Sequence, residues 1–242
     1  MTRLITFGCS YTQGIGLDGL DHRAHNYYDS PLESVLRIQS ASPDAWPHLL
    51  ANHLGLECIN LGRGRSSPKF IFQMIREFEF QKTDIVVVQW PDPSRHVIWG
   101  AVSGWSDTDF TIDMELLVSH TSPESFAFYK NYHTEFNSLY DNAVLIESTH
   151  AYLKDKCHQV YSVSDNIATD LATTPTPKMS DFVRNQSLKI LLKTFPILSE
   201  VKKFFNGYNF DDQCNDQHPG KSYHVAFADA MTEQIKDYKK SR

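Results

Sequence analysis

The residues of this chain that could do chemistry together stand near its two ends. A short apolar run at residues 4–7 leads into a turn with Ser10 at its tip, and Asp216 and His218 follow close to the C-terminus. A serine hydroxyl becomes an effective nucleophile when a histidine takes its proton and a carboxylate orients that histidine. The three residue types therefore predict acyl transfer, with Ser10 as nucleophile, His218 as general base and Asp216 as the orienting group.

The surroundings of Ser10 fit this chemistry. Gly8 precedes the serine and Gly14 follows it, so the chain can turn tightly and a substrate can approach the backbone. Backbone amides at the start of the next helix could stabilise a developing oxyanion. The alternative is that Ser10 is an ordinary helix N-cap, a position that favours serine for local hydrogen bonding alone.

Strands and helices alternate along the chain and would place these residues at one edge of a sheet. Residues 84–90 contain the β-branched run Ile-Val-Val-Val, which is typical of a strand covered on both faces. The pattern predicts an α/β fold with a mostly parallel sheet and helices on both sides. Strands are predicted at about 3–8, 56–60, 84–90 and 158–163, and helices at 44–54, 68–80, 124–157 (perhaps in two pieces) and 222–238.

We expect one domain over residues 1–242, with insertions at about 93–123 and 165–205 and a further long loop at 17–43. Loops of this length are usually lids or insertions with a function. Their aromatic residues could line a substrate groove or could fold the loops onto the body of the protein. These residues are Tyr27, Tyr28, Trp99 and Trp105.

Composition excludes several classes of partner. The formal net charge of -6 argues against nucleic acid, and no apolar run reaches the ~18 residues of a membrane span. The chain opens directly into the predicted strand that leads to Ser10, so we expect no cleavable leader and a cytoplasmic protein. We expect no metal and no cofactor, because His218 and His224 lack further ligands and the cysteines lack zinc-site spacing. The cysteines are Cys9, Cys58, Cys157 and Cys214.

Three segments resemble the SGNH, or GDSL-type, hydrolase family. Residues 7–14 (Phe-Gly-Cys-Ser-Tyr-Thr-Gln-Gly) resemble its first block, residues 60–64 (Asn-Leu-Gly-Arg-Gly) its second and residues 216–219 (Asp-Gln-His-Pro) its last. The resemblance spans nearly the whole chain and implies a flavodoxin-like three-layer αβα sandwich that hydrolyses esters. It implies Ser10 as nucleophile, His218 as general base and the N–H groups of Ser10 and Gly62 in the oxyanion hole. Asn60 is expected to shape the loop.

The chain departs from the family pattern at two of these blocks. Cys9 stands where an aspartate usually precedes the nucleophile, which we take as a mild change. Asn215 stands at the usual place of the aspartate, three residues before the histidine. Asp216, two residues before it, is therefore the favoured partner of His218, with Asp212 or a backbone carbonyl as alternatives.

A third departure concerns the oxyanion hole. The family usually has Gly-x-Asn-Asp after its central strand, and the position of that Asn falls near Pro91, which carries no donor. Losing one oxyanion donor typically costs ~3–4 kcal/mol of transition-state stabilisation. Gln89, Ser94 and Arg95 are the donors available nearby. Arg95 could also hold an anionic group of the substrate, or form an ordinary salt bridge.

These patterns predict a serine esterase that acts on small or carbohydrate-borne acyl esters, with a small molecule or glycan ester as its partner. Two alternatives use the same residues. One is a binding protein that keeps the fold but has weak chemistry or none, because of the gap near Pro91. The other is an acyltransferase that passes the acyl group to a hydroxyl instead of water.

Overall fold

The computed structural model describes residues 2–17, 41–101, 110–116, 123–164, 193–194, 202–203 and 218–240. In this part of the chain strands and helices alternate as predicted. The strands are β1 (Arg3–Gly8), β2 (Glu57–Gly62), β3 (Ile85–Trp90), β4 (His96–Ala101), β5 (Phe110–Leu116), β6 (Gln159–Ser164) and β7 (Lys202–Lys203). The helices are α1 (Ser10–Gln13), α2 (Trp46–Leu54), α3 (Pro68–Glu77), α4 (Pro123–Asn131), α5 (Glu135–Leu153) and α6 (Lys221–Lys240).

The main sheet has the strand order β2-β1-β3-β6-β7, and every pairing in it is parallel. Gly8 at the end of β1 lies opposite Gly62 at the end of β2. Trp90 at the end of β3 lies opposite Ser164 at the end of β6. The carboxyl ends of these strands therefore share one edge, where ligands bind in open α/β sheets.

Helices cover both faces of this sheet. Along β3, Val86 and Val88 pack into a core with α3 and α5, whereas Ile85 and Val87 pack into a second core with α2 and α6. Successive residues of a strand point to opposite faces, so a strand covered on both sides is apolar throughout. The result is the expected three-layer arrangement of helix, sheet and helix.

The helix ends follow local sequence signals with two adjustments. Gly55 ends α2 in the left-handed conformation, with φ of 64°. Helix α3 stops at Glu77, before the predicted end, because Phe78 turns to extended backbone and its ring packs edge-on against Phe7. The predicted 124–157 helix is two helices, and Thr134 caps the second by accepting from the Asn137 N–H at 3.1 Å.

The insertions differ from the loops expected. Residues 93–123 contain the antiparallel hairpin β4–β5, with a register shift between Ile98 and Trp99. Within 165–205, β7 adds a short strand beside β6. Apart from 193–194, the rest of that insertion lies outside the described residues, as do most of 17–43 and the aromatic residues Tyr27, Tyr28 and Trp105. Among the helices that are described, none is both long and apolar enough to cross a bilayer.

Candidate active site

Ser10 lies at the carboxyl edge of the sheet, inside the first turn of α1. Cys9 occupies the N-cap position and makes no side-chain cap bond, so the alternative in which Ser10 itself is the N-cap is wrong. The helix ends after Gln13, where Gly14 takes the left-handed conformation at φ of 80°. Ser10 is only 6% exposed, which leaves its side chain in a nearly closed environment at the end of β1.

Close packing between α1 and the ends of two strands holds this turn. A Cβ on Gly8 would lie 1.9 Å from Thr12 Oγ1, and a Cβ on Gly62 would lie 2.4 Å from the Gln13 backbone nitrogen. Both contacts are too short for any side chain. Glycine at these two positions lets β1 and β2 approach α1 directly.

The loop after β2 is tied to α1 by side-chain amides. Asn60 donates through Nδ2 to the Thr12 carbonyl at 2.8 Å, and its Oδ1 accepts from the Gly62 N–H at 2.9 Å. Gln13 Oε1 accepts from the Gly64 N–H at 2.7 Å. Asn60 thus shapes the loop as expected. Because the Gly62 N–H already has an acceptor, a substrate oxyanion at that amide would have to displace Asn60.

Arg65 follows in the same loop with a φ of 64°. This conformation is uncommon for a residue with a side chain and costs of order 1 kcal/mol or more. Its backbone N–H has no acceptor among the described residues, and the residue is exposed. The sequence gives no signal for this conformation of Arg65, since a left-handed backbone at an arginine leaves no mark on composition or spacing.

His218 lies beside the Ser10 turn. Its ring meets that of Tyr11 edge-on, with centroids 5.9 Å apart, and Tyr11 directly follows Ser10 in the chain. His218 comes just before α6, and the two residues that follow it in the chain, Pro219 and Gly220, are buried. The fold therefore brings the two ends of the chain to one place. The proposed partner Asp216 and its alternative Asp212 lie outside the described residues.

Gln89 is a buried connector beneath the site. Its Oε1 accepts from Thr12 Oγ1 at 2.7 Å and from Trp46 Nε1 at 3.0 Å, and its Nε2 donates to the Tyr223 hydroxyl at 2.9 Å. Gln89 is 1% exposed. These bonds join α1, α2 and α6 to the end of β3. The Gln89 amide, one of the possible oxyanion donors, is therefore engaged in hydrogen bonds within the fold.

The loop after β3 holds the other two candidate donors. The Ser94 N–H donates to Asp92 Oδ1 at 2.8 Å, and the Ser94 carbonyl accepts from the Tyr129 hydroxyl at 2.6 Å. Burial, and secondarily the charge of Asp92, raises the pKa of Tyr129, which keeps its phenol protonated as a donor. Arg95 lies next, with its Nη1 buried. Pro91 is buried and contributes no donor.

His224 has a structural role that only the folded chain shows. It lies in the first turns of α6 as expected, is buried, and its Nδ1 accepts from the Trp46 N–H at 3.0 Å. The first amides of a helix have no acceptor within the helix, so this imidazole caps α2 from a distant element. Because Nδ1 of His224 accepts this hydrogen bond, that atom is not available to bind a metal ion together with His218.

Comparisons with known proteins support the fold assignment. No protein-family model and no curated protein matches the chain. Among solved structures it is similar to a carbohydrate esterase family 2 enzyme with a carbohydrate-binding domain from Corynascus thermopiles (Myceliophthora fergusii), with 13% identity and a TM-score of 0.52 over 97% of this chain and 65% of that one. An acetyl xylan esterase from the rumen bacterium Butyrivibrio proteoclasticus has 10% identity and a TM-score of 0.53 over 98% and 64%.

A third similar structure is a member of the lipolytic G-D-S-L family from Veillonella parvula, with 12% identity and a TM-score of 0.46 over 96% of this chain and 97% of that one. The chain spans less than two thirds of the length of the first two esterases. At these identities the likeness shows the fold. The chain has the three-layer α/β sandwich that its sequence predicts.

Proposed function

We propose that this protein is a serine esterase in which Ser10 is the nucleophile and His218 is the general base. The observation that carries the proposal is the ring contact between His218 and Tyr11, which brings the histidine to the turn that holds Ser10. The turn lies at the carboxyl edge of a parallel sheet, where α/β folds place their ligands.

The reaction proceeds in two halves. Ser10 Oγ attacks the ester carbonyl while His218 takes the hydroxyl proton, and His218 then returns that proton to the departing alcohol. Water then attacks the resulting acyl-serine and loses a proton to His218, which passes that proton to Ser10 Oγ as the carboxylic acid leaves and free Ser10 is regenerated. Asp216 is proposed to hold the imidazole in the orientation that both proton transfers require.

The oxyanion needs donors that are not already engaged. The Ser10 N–H is the first, since it belongs to the opening turn of α1, whose amides have no acceptor within the helix. For the second we favour the Arg65 N–H over that of Gly62, which Asn60 holds at 2.9 Å. Arg65 follows Gly64, whose N–H donates to Gln13 of α1 at 2.7 Å, and a strained backbone in such a loop is consistent with this role.

The substrate is proposed to be a small or carbohydrate-borne acyl ester. The two similar structures with a TM-score above 0.5 are named a carbohydrate esterase and an acetyl xylan esterase. Either name would fit a short acyl group on a sugar hydroxyl. Hydrolysis of such an ester would use the proposed nucleophile, general base and oxyanion donors of this chain.

Labelling with a fluorophosphonate probe tests the proposal, because the probe reacts with an activated serine near an oxyanion site. We expect the wild type to be labelled, and Ser10→Ala and His218→Ala each to lose at least a hundredfold in labelling rate. His158→Ala is the matched control, since His158 is exposed at the opposite end of β6. Release of acetate from an acetylated xylo-oligosaccharide should follow the same order. A folded wild type that neither reacts nor hydrolyses would overturn the esterase proposal.

One observation favours a second candidate, a binding protein with weak chemistry. Pro91 has no donor, and the Gln89 amide that could replace the missing Asn is bonded to Tyr223. This candidate predicts saturable binding of an acetylated oligosaccharide without labelling of Ser10. Acyl transfer would instead show as a new ester when an acyl ester and an acceptor alcohol are both supplied to the unlabelled protein.

A further inference from the structure

A polar cavity lies on the face of the sheet that carries α3 and α5. It has a volume of about 360 Å³ and is bounded by the start of α3, the loop between β3 and β4, and the first half of α5. Its polar lining residues are Lys69, Arg95, His96, Ser138, Asp141 and Asn142. Apart from Arg95, none of them belongs to the site proposed around Ser10.

Two of the lining residues carry buried polar atoms without hydrogen-bond partners. Asn142 is 1% exposed, yet neither its Oδ1 nor its Nδ2 has a hydrogen-bond partner. The Nη1 of Arg95 is also buried without one. Leaving such an atom unpaired costs about 1–3 kcal/mol, so buried polar groups are nearly always satisfied. Three unsatisfied atoms on two residues that line one cavity favour a bound partner that supplies both an acceptor and a donor.

The charges around the cavity favour an anion. Lys69 and Arg95 are cations, and no carboxylate lies within ion-pair distance of either in the described chain. Two carboxylates are also nearby: Asp141 is exposed and lines the cavity, and Asp92, which accepts from the Ser94 N–H, acts electrostatically on His96. His96 is neutral near pH 7, because burial, His133 and Lys69 lower its pKa to about 4. Its ring lies 3.4 Å from the Ser138 hydroxyl, which also contacts His133 Nδ1 at 3.1 Å.

We propose that this cavity binds a small carboxylate or phosphate that carries a neighbouring hydroxyl or amide group. The anionic group contacts Arg95 and Lys69. The neighbouring group pairs with Asn142, which can accept through Oδ1 and donate through Nδ2. The guanidinium suits either anion, because its donors form a planar fork that matches carboxylate and phosphate oxygens. The inference does not depend on the chemistry of Ser10.

Calorimetric titration of the full chain with three probes at constant ionic strength tests this inference. The probes are inorganic phosphate, glycolate, and acetate, which lacks the hydroxyl of glycolate. We expect saturable binding of phosphate and glycolate, with glycolate at least fivefold tighter than acetate. Arg95→Gln should weaken phosphate and glycolate at least tenfold, and Lys69→Gln, at an exposed position, at least threefold. Asn142→Leu should remove the preference for glycolate over acetate.

Two controls keep the test sharp. Lys82→Gln removes a lysine that bonds the Asp155 carbonyl far from the cavity, and it should bind as the wild type does. Ser10→Ala should also bind normally, which separates this site from the proposed esterase. The inference would be overturned if no probe bound saturably, or if Arg95→Gln and Lys69→Gln both bound phosphate and glycolate as tightly as the wild type does. An Asn142→Leu variant that is more stable and binds every probe as well as the wild type would also overturn it, because the cavity would then hold only water.

Discussion

Replacing Gln89 with leucine tests whether a buried amide holds the elements around the candidate site together. The substitution leaves the Thr12 hydroxyl, the Trp46 indole N–H and the Tyr223 hydroxyl without the partner they have at 2.7, 3.0 and 2.9 Å. A buried polar group that loses its partner costs about 1–3 kcal/mol, so three of them sum to about 5 kcal/mol. Burial of the leucine side chain returns roughly 2 kcal/mol. The expected net loss of unfolding free energy is about 3 kcal/mol.

Guanidinium unfolding followed by circular dichroism measures this loss, with the slope of the transition checked for equality between variants. Gln73→Leu is the matched control, since Gln73 is exposed and its side chain donates to Glu77 on the same helix. The control should change stability by less than about 0.5 kcal/mol. A loss below about 1 kcal/mol for Gln89→Leu would refute the reasoning, because it would mean that water or rearranged side chains satisfy the three partners.

Three further predictions concern the sheet and its insertion. Gly62→Ala should lower the unfolding free energy by about 2 kcal/mol and slow fluorophosphonate labelling, because the new Cβ would lie 2.4 Å from the Gln13 backbone nitrogen. Unchanged labelling would contradict this packing argument. Arg3→Ala should lower the unfolding free energy by about 3 kcal/mol in denaturant unfolding, because the fully buried Asp84 carboxylate loses the cation that binds it at 2.7 Å. A loss under about 1 kcal/mol would argue against a buried ion pair. Burial lowers the pKa of His96 to about 4, so the unfolded chain binds a proton before the folded chain does as the pH falls below about 6.5. The unfolding free energy should therefore drop by about 2 kcal/mol between pH 6.5 and 4. His96→Gln should make the unfolding free energy depend less on pH in this range. An equal dependence on pH in both proteins would rule out His96 as the source.

Local patterns predicted the strands and helices of the main sheet well. Residues 85–90 are apolar enough to be recognised as a strand buried on both faces, and the structure confirms it. Gly55 predicted the end of α2, because few other residues adopt its left-handed backbone without strain. Such signals depend on neighbours in the chain, so they survive without any knowledge of the fold.

The hairpin β4–β5 was not predicted. Its two strands pair with each other across residues 102–109, and a register shift at Ile98 and Trp99 interrupts the alternation that would reveal them. The end of α3 was missed for a related reason. Phe78 leaves the helix to pack against Phe7, a contact between residues far apart in the chain.

The sequence by itself determined the fold class and the residue types at the candidate site, since turn glycines, apolar runs and the blocks around Ser10 and His218 are local features. The tertiary structure alone decided how those residues are used. It engaged Gln89 in packing, gave the Gly62 N–H an acceptor in Asn60, and placed Asn142 on a cavity wall. Whether a polar atom is available to a ligand depends on which distant groups fold against it, and that is a property of the folded chain.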